Sequence, residues 1–222
     1  MSKELTYKNI IVPYDADTFS QQLRDAGINE DTINQMLSIQ EDDPEKEYHM
    51  WLHDDIQKGE TVLKDGERFL QFSGIYITDG KMVLLEKDPL IPWKGYGMGG
   101  LLSFTNDPAE NALNEISEET PLKVSKDRLY LLGEIHYESE SPKVPGVMSH
   151  RDGYIFLYVA DSLEEPPEKY MGLDNQMHDL IILPIGEIMD HEEVDKNFKT
   201  SVKALDLTSL DSVTKWMKIN GH

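Results

Sequence analysis

Apolar and polar positions change period near residue 66. Before it, after a short apolar run at residues 10–12, the spacing predicts helices. One covers 18–26 and is stopped by Gly27; a second covers 31–39 and buries Ile33, Met36 and Leu37; a third covers 45–58. From Arg68 the apolar residues recur at the shorter spacing of strands. Phe69, Phe72, Ile75 and Ile77 lead into Thr78-Asp79-Gly80-Lys81, and the chain returns through Met82, Val83, Leu84 and Leu85. Asp-Gly between two apolar runs predicts a β-hairpin. A glycine-rich stretch at 95–100 follows, then a helix from Pro108 to Glu119 and strands over 130–136, 154–160 and 180–183. A closing helix over 208–219 buries Leu210, Val213, Trp216 and Met217. This order implies a fold of the α+β or α/β class, with residues 1–66 as a helical N-terminal extension and 67–222 as the main domain. The sequence contains neither an internal repeat nor a low-complexity tract.

A chain of 222 residues with 39% hydrophobic content can bury a sizeable core. Charge narrows its partners. Forty-two Asp and Glu against 21 Lys and Arg leave −21, a field that repels bulk nucleic acid and anionic membranes. Cysteine is absent, so disulfides, thiolate zinc sites and cysteine nucleophiles are excluded together. Any metal must then be held by oxygen or histidine ligands. With no apolar signal core at the start and no run of about 18 apolar residues, the expectation is a soluble, cytoplasmic protein. His49 and His53 are spaced to share a helix face, but Met50, Trp51 and Leu52 lie between them, not the glutamate of a zinc-protease motif. The helix pair around Gly27 superficially suggests a DNA-binding turn. Arg24 is the sole cation between Lys8 and Lys46, so a packed appendage is the better reading.

The segment richest in chemistry runs from Gly99 to Leu122. Asp107 stands at a helix N-cap, Pro108 at the first helical position and Glu110 three residues after the cap. Within that helix Glu115, Glu118 and Glu119 fall at i, i+3 and i+4 and project from one stripe. Three like charges near a helix C-terminus repel one another and oppose the macrodipole. A hard divalent cation resolves both problems; a solvated acidic face is the alternative. The upstream glycines favour a site, because they let backbone approach a ligand closely.

These residues resemble the Nudix box, whose pattern is a glycine, five residues, a glutamate, seven residues, then Arg-Glu-aliphatic-x-Glu-Glu-x-Gly-aliphatic. Gly100 matches the leading glycine, and Glu115, Ile116, Glu118, Glu119 and Leu122 match the core without a gap. Asn106 replaces the first glutamate, Asn114 the arginine and Pro121 the late glycine, while Met98 takes the place of the usual proline. The resemblance spans about Arg68 to Gly186. It implies a Nudix-like α/β/α sandwich with a mixed sheet. It also implies Mg²⁺- or Mn²⁺-dependent hydrolysis of a nucleoside diphosphate linked to another moiety.

By the same resemblance Glu118 and Glu119 would bind the ion, with Glu115 a further ligand or the base for water. A later catalytic acid would come from Glu138, Glu140, Glu164, Glu165 or Glu168. Gly99 and Gly100 would approach the substrate, Trp93 and Tyr96 can stack a base, and Arg68, Arg151 and Lys94 can meet phosphates. A small nucleotide is the expected partner, and residues 1–66 leave room for a homodimer. Two rival readings stay open: a Nudix-fold nucleotide-binding module that has lost catalysis, and an unrelated α+β domain with a solvated acidic helix.

Overall fold

The computed structural model describes residues 16–25, 27–34, 55–56, 58–87, 95–141, 146–163, 169–173 and 175–219. The apolar run at 10–12, the end of the second expected helix and most of the third lie outside them. So do His49, His53, Trp93, Lys94, Glu164, Glu165 and Glu168. The chain divides into two compact units. The smaller comprises Met1–Gln71, Leu101–Asn106 and His136–Asp152, and the larger Phe72–Gly100, Asp107–Ile135 and Gly153–His222.

In the smaller unit, α1 (Ala16–Asp25) ends as the sequence predicts. Gly27 turns to φ +85°, its N–H bonds to the Arg24 carbonyl, and the next N–H, from Ile28, reaches the Leu23 carbonyl at 2.9 Å. This paired bond is the Schellman stop, and glycine takes its left-handed position without a Cβ penalty. The accompanying apolar contact forms as well, since Leu23 and Ile28 pack with Ile33 and Val147 in one buried cluster. The stretch read as helical also contains a strand. β1 (Thr61–Lys64) pairs antiparallel with the start of β2 (Glu67–Thr78) through the two-residue turn Asp65-Gly66, both at positive φ. The boundary placed after residue 66 lies at the end of that turn, between β1 and β2.

In the larger unit the sheet order is β5 (Leu129–Glu140), β6 (Met148–Val159), β2, β3 (Met82–Lys87), β8 (Met177–Pro184), β7 (Lys169–Met171), with β4 (Gly99–Leu102) also paired to β2. β2, β4, β5 and β6 contribute residues to both units. The Asp79-Gly80 hairpin joins β2 to β3 as expected, with Thr78 opposite Val83. Strand alternation then sorts the core into two layers. Tyr76, Val83, Leu85, Leu157 and Leu183 face one side, where Val202 of α3 (Lys196–Ala204) and Val213 of α4 (Leu210–Ile219) cover them. Ile75, Ile77, Leu84, Phe156 and Leu180 face the other, against Ala112 and Ile116 of α2 (Pro108–Glu119). A sheet between two helical layers is the α/β/α sandwich that the family resemblance implied. The α3 helix and β7 are additions that the apolar spacing did not reveal.

Candidate active site

The α2 helix begins as its residues dictate. Asp107 has an extended backbone, and its Oδ1 accepts the Ala109 and Glu110 N–H groups at 2.8 and 3.0 Å. At the other end Thr120 is extended, the conformation that a following proline imposes. Its N–H and hydroxyl both return to the Ile116 carbonyl, and the Leu173 N–H donates to the Glu118 carbonyl at 3.1 Å. Pro121 therefore stops the helix where the family pattern has a glycine, by a different backbone route.

Helical phase spreads the three glutamates over distinct environments. Ala112 and Ile116 are fully buried, and Glu119, three residues beyond Ile116, continues their stripe inward. Glu119 is half-buried with its Oε2 out of water; Glu118 is exposed; Glu115 is half-buried. The Glu115 carboxylate lies against Gly100, where a Cβ would come within 2.4–2.5 Å of its oxygens and carboxyl carbon. At Gly99 the backbone takes φ +117°, and a Cβ there would sit 1.9 Å from the Ser73 carbonyl oxygen. Consecutive glycines are thus required for separate reasons: one to pass β2, the other to admit Glu115.

Glu119 does not group with Glu115 and Glu118. Its carboxylate joins Glu86 and His178, the ligand atoms of all three lying within 4.8 Å of one another. Alternation along β3 puts Glu86 on the same face as Leu84, and along β8 puts His178 on the face of Leu180, so both look toward α2. Glu86 pairs with Leu180 across the strands, which makes His178 its diagonal neighbour. The two are almost fully buried, and His178 Nδ1 is 2.9 Å from Glu86 Oε1. Sequence reading missed this pair. Its signal was a glutamate in phase with buried leucines on a core strand, which needs a partner to be tolerated there.

Tyr96 is fixed by backbone bonds, its N–H to Glu193 at 2.7 Å and its carbonyl to the Asp195 N–H at 2.8 Å. Its ring is partly buried against the core, with Lys87 Nζ 5.7 Å from the ring centroid. Burial, with Asp179, Glu193 and Glu86 nearby, raises its hydroxyl pKa. Arg68 and Arg151 belong to the smaller unit. Glu138 and Glu140 belong there too: Glu138 faces His150 Nδ1 at 3.0 Å, and Glu140 accepts the Gly146 N–H at 2.9 Å. His150 also meets Glu67 at 2.7 Å and stacks on Phe69. Beside them His136 Nδ1 donates to Asp152 Oδ1, a hydrogen bond that raises the His136 pKa, and His136, Glu138 and His150 form the second cluster of candidate ligands among the described residues.

The donor set in the larger unit fits a divalent ion. Carboxylate oxygens suit Mg²⁺ or Mn²⁺, and an imidazole nitrogen favours Mn²⁺ of the two. Among the described residues no helix is long and apolar enough to cross a membrane.

No family model and no curated protein matches the chain. Solved structures do. A bifunctional NMN adenylyltransferase/ADP ribose pyrophosphatase from Francisella tularensis, complexed with AMP and a Mn ion, aligns at a TM-score of 0.50 and 16% identity over 90% of this chain and 61% of that one. Its structure without those ligands gives 0.50 and 17%, over 90% and 60%. This chain thus spans about three-fifths of the length of that enzyme. A Nudix-family hydrolase from Clostridium perfringens aligns at 0.42 and 17% identity over 62% of this chain and 96% of its own. At these identities the likeness is one of fold.

Proposed function

We propose that this chain, which has the fold of the Nudix superfamily, is a divalent-metal-dependent hydrolase. Its substrate is a nucleoside diphosphate linked to another moiety, and the bond cleaved is the pyrophosphate bond. The observation that carries the reading is the placement of Glu115 on the bare face of Gly100, while Glu119 turns inward to Glu86 and His178. A solvated acidic helix face needs neither a glycine cut away for a carboxylate nor a glutamate aimed at a buried Glu–His pair.

Glu119, Glu86 and His178 would hold Mn²⁺ or Mg²⁺, with exposed Glu118 free to turn toward the same ion. When bound, such an ion neutralises pyrophosphate oxygens and acidifies water. Glu115 is the residue proposed to take the water's proton at its carboxylate, which lies against Gly100. His178, hydrogen-bonded to Glu86, keeps that buried carboxylate compensated. Gly99 and Gly100 let the main chain reach the substrate without side-chain interference.

The nucleotide-binding module is the second reading. Asn114 and Asn106 favour it: both are exposed, and they stand where the family pattern has an arginine and a glutamate. The test is hydrolysis of a panel that includes ADP-ribose, diadenosine polyphosphates and nucleoside triphosphates, with Mg²⁺ and with Mn²⁺. Turnover in the wild type that falls at least 100-fold in Glu115→Gln and in Glu119→Gln is the expected result. Absence of turnover, with a nucleotide still raising Tm, establishes the binding module instead.

A further inference from the structure

We infer that the smaller unit contains a binding site for a phosphate-type oxyanion, formed by Arg68, Arg151 and Ser149. The inference uses no residue of the proposed active site and does not depend on it.

Arg68 is 2% exposed. Its Nη2 donates to Asp55 Oδ2 at 2.9 Å and to Thr61 Oγ1 at 3.1 Å, and its Nη1 to Ser141 Oγ at 3.4 Å. Its Nε is buried and, among the described residues, donates to nothing. Arg151 is 9% exposed, and among the described residues no ion pair or hydrogen bond engages its guanidinium. Its contact is the Tyr137 ring, whose centroid lies 5.5 Å away. Ser149, two residues earlier on β6 and therefore on the same face as Arg151, is fully buried, and its hydroxyl bonds to none of the described residues. Three buried donors, on residues that strand geometry and charge place together, thus await acceptors.

The charges point the same way. The two guanidiniums are close enough to repel, and burial together with Arg151 pulls Arg68 down to about 10 even though Asp55 acts in the opposite sense. Among the described residues one buried carboxylate, Asp55, pairs with Arg68 and none pairs with Arg151, in a chain that carries twice as many acids as bases. The acids on neighbouring strands are otherwise engaged. Glu67 and Glu138 bracket His150, and Asp152 binds His136, on the opposite face of β6. A buried cation is tolerated when its charge and donors are satisfied. A guanidinium fork and a hydroxyl match a tetrahedral oxyanion, which takes parallel N–H donors at two oxygens and an O–H at a third. The residual exposure of Arg151 gives a small anion its access.

The experiment follows the full-length protein in EDTA, so that no divalent ion can carry phosphate, at ionic strength held constant with chloride. Inorganic phosphate, pyrophosphate and AMP are each titrated while Tm is read, with calorimetric titration of the wild type alongside. The expected result is a saturable rise of about 3–6 °C at ten times the dissociation constant. Arg151→Gln abolishes the rise, yet without phosphate melts no lower than the wild type, because it removes an uncompensated cation. Arg151→Lys, which keeps the charge but loses the fork, binds about tenfold more weakly. If the rise favours AMP over inorganic phosphate, the ligand is a phosphate ester, and the reverse order indicates the free ion. Failure of the wild type to show saturable binding overturns the inference. So does binding that survives Arg151→Gln, or an Arg151→Gln protein that melts well below the wild type without phosphate, since Arg151 is then already paired within the chain.

Discussion

Gly99 and Gly100 are adjacent, and substitution should separate their roles. Alanine at Gly99 meets a backbone oxygen at 1.9 Å in a left-handed conformation, where nothing nearby can yield. Gly99→Ala is expected to cost about 2–4 kcal/mol of stability. Alanine at Gly100 meets the end of the Glu115 side chain, which can swing aside. Gly100→Ala is expected to change stability by less than about 1 kcal/mol while lowering kcat on the order of 100-fold by displacing Glu115. Denaturant melts and turnover on the same preparations decide the point; equal losses of stability would remove the assigned distinction. At this scale the glycines, the helix cap at Asp107 and the glutamates were legible in the sequence, because each acts through local geometry. Glu86 and His178 were not. They lie 92 residues apart and meet only because β3 and β8 are antiparallel neighbours, a pairing that no local pattern encodes.

Among the elements, the β2–β3 hairpin is pinned by one carboxylate. Asp79 Oδ1 accepts the Lys81 and Met82 N–H groups at 3.0 and 2.9 Å, and Oδ2 accepts the Leu163 N–H at 3.2 Å. Partial burial acts to raise its pKa, but these backbone donors prevail and hold it below the usual carboxylate range. Because the folded-state pKa is depressed, the contribution to stability is complete above the unfolded value near about 3.9 and is lost as pH falls through the folded value. Asp79→Asn is expected to lower Tm at neutral pH by roughly 2–4 °C, for about 1 kcal/mol. The gap between mutant and wild type should narrow in acid; a gap that is constant or widens toward low pH contradicts this assignment. The same Asp-Gly signal that identified this turn also occurs at Asp65-Gly66, where it joins β1 to β2. It went unread there because the helical spacing before it runs up to residue 58, and a four-residue strand is too short to show a period of its own. The α3 helix was masked differently. Its cap is plain, with Asp195 accepting the Asn197 and Phe198 N–H groups at 2.8 and 3.0 Å, but its body, KNFKTSVKA, carries few apolar residues.

At the scale of the molecule, the 21 excess negative charges require that the proposed phosphate-bearing substrate meet positive charge at its site, which a divalent ion supplies. That requirement ties the composition to the glutamates of α2 and to the buried pair beneath them. The fold class followed from the alternation of strand and helix periods, whereas the ligand set depended on which strands became neighbours. The central claim is that the end of α2, with Glu86 and His178, seats the divalent ion on which hydrolysis depends. Titration of the metal-free protein with Mn²⁺, followed by electron paramagnetic resonance, tests it directly. The account predicts saturable binding in the wild type, weakened about 10- to 100-fold in Glu119→Gln with the fold intact. An affinity unchanged by Glu119→Gln, or no saturable binding by the wild type, would contradict it.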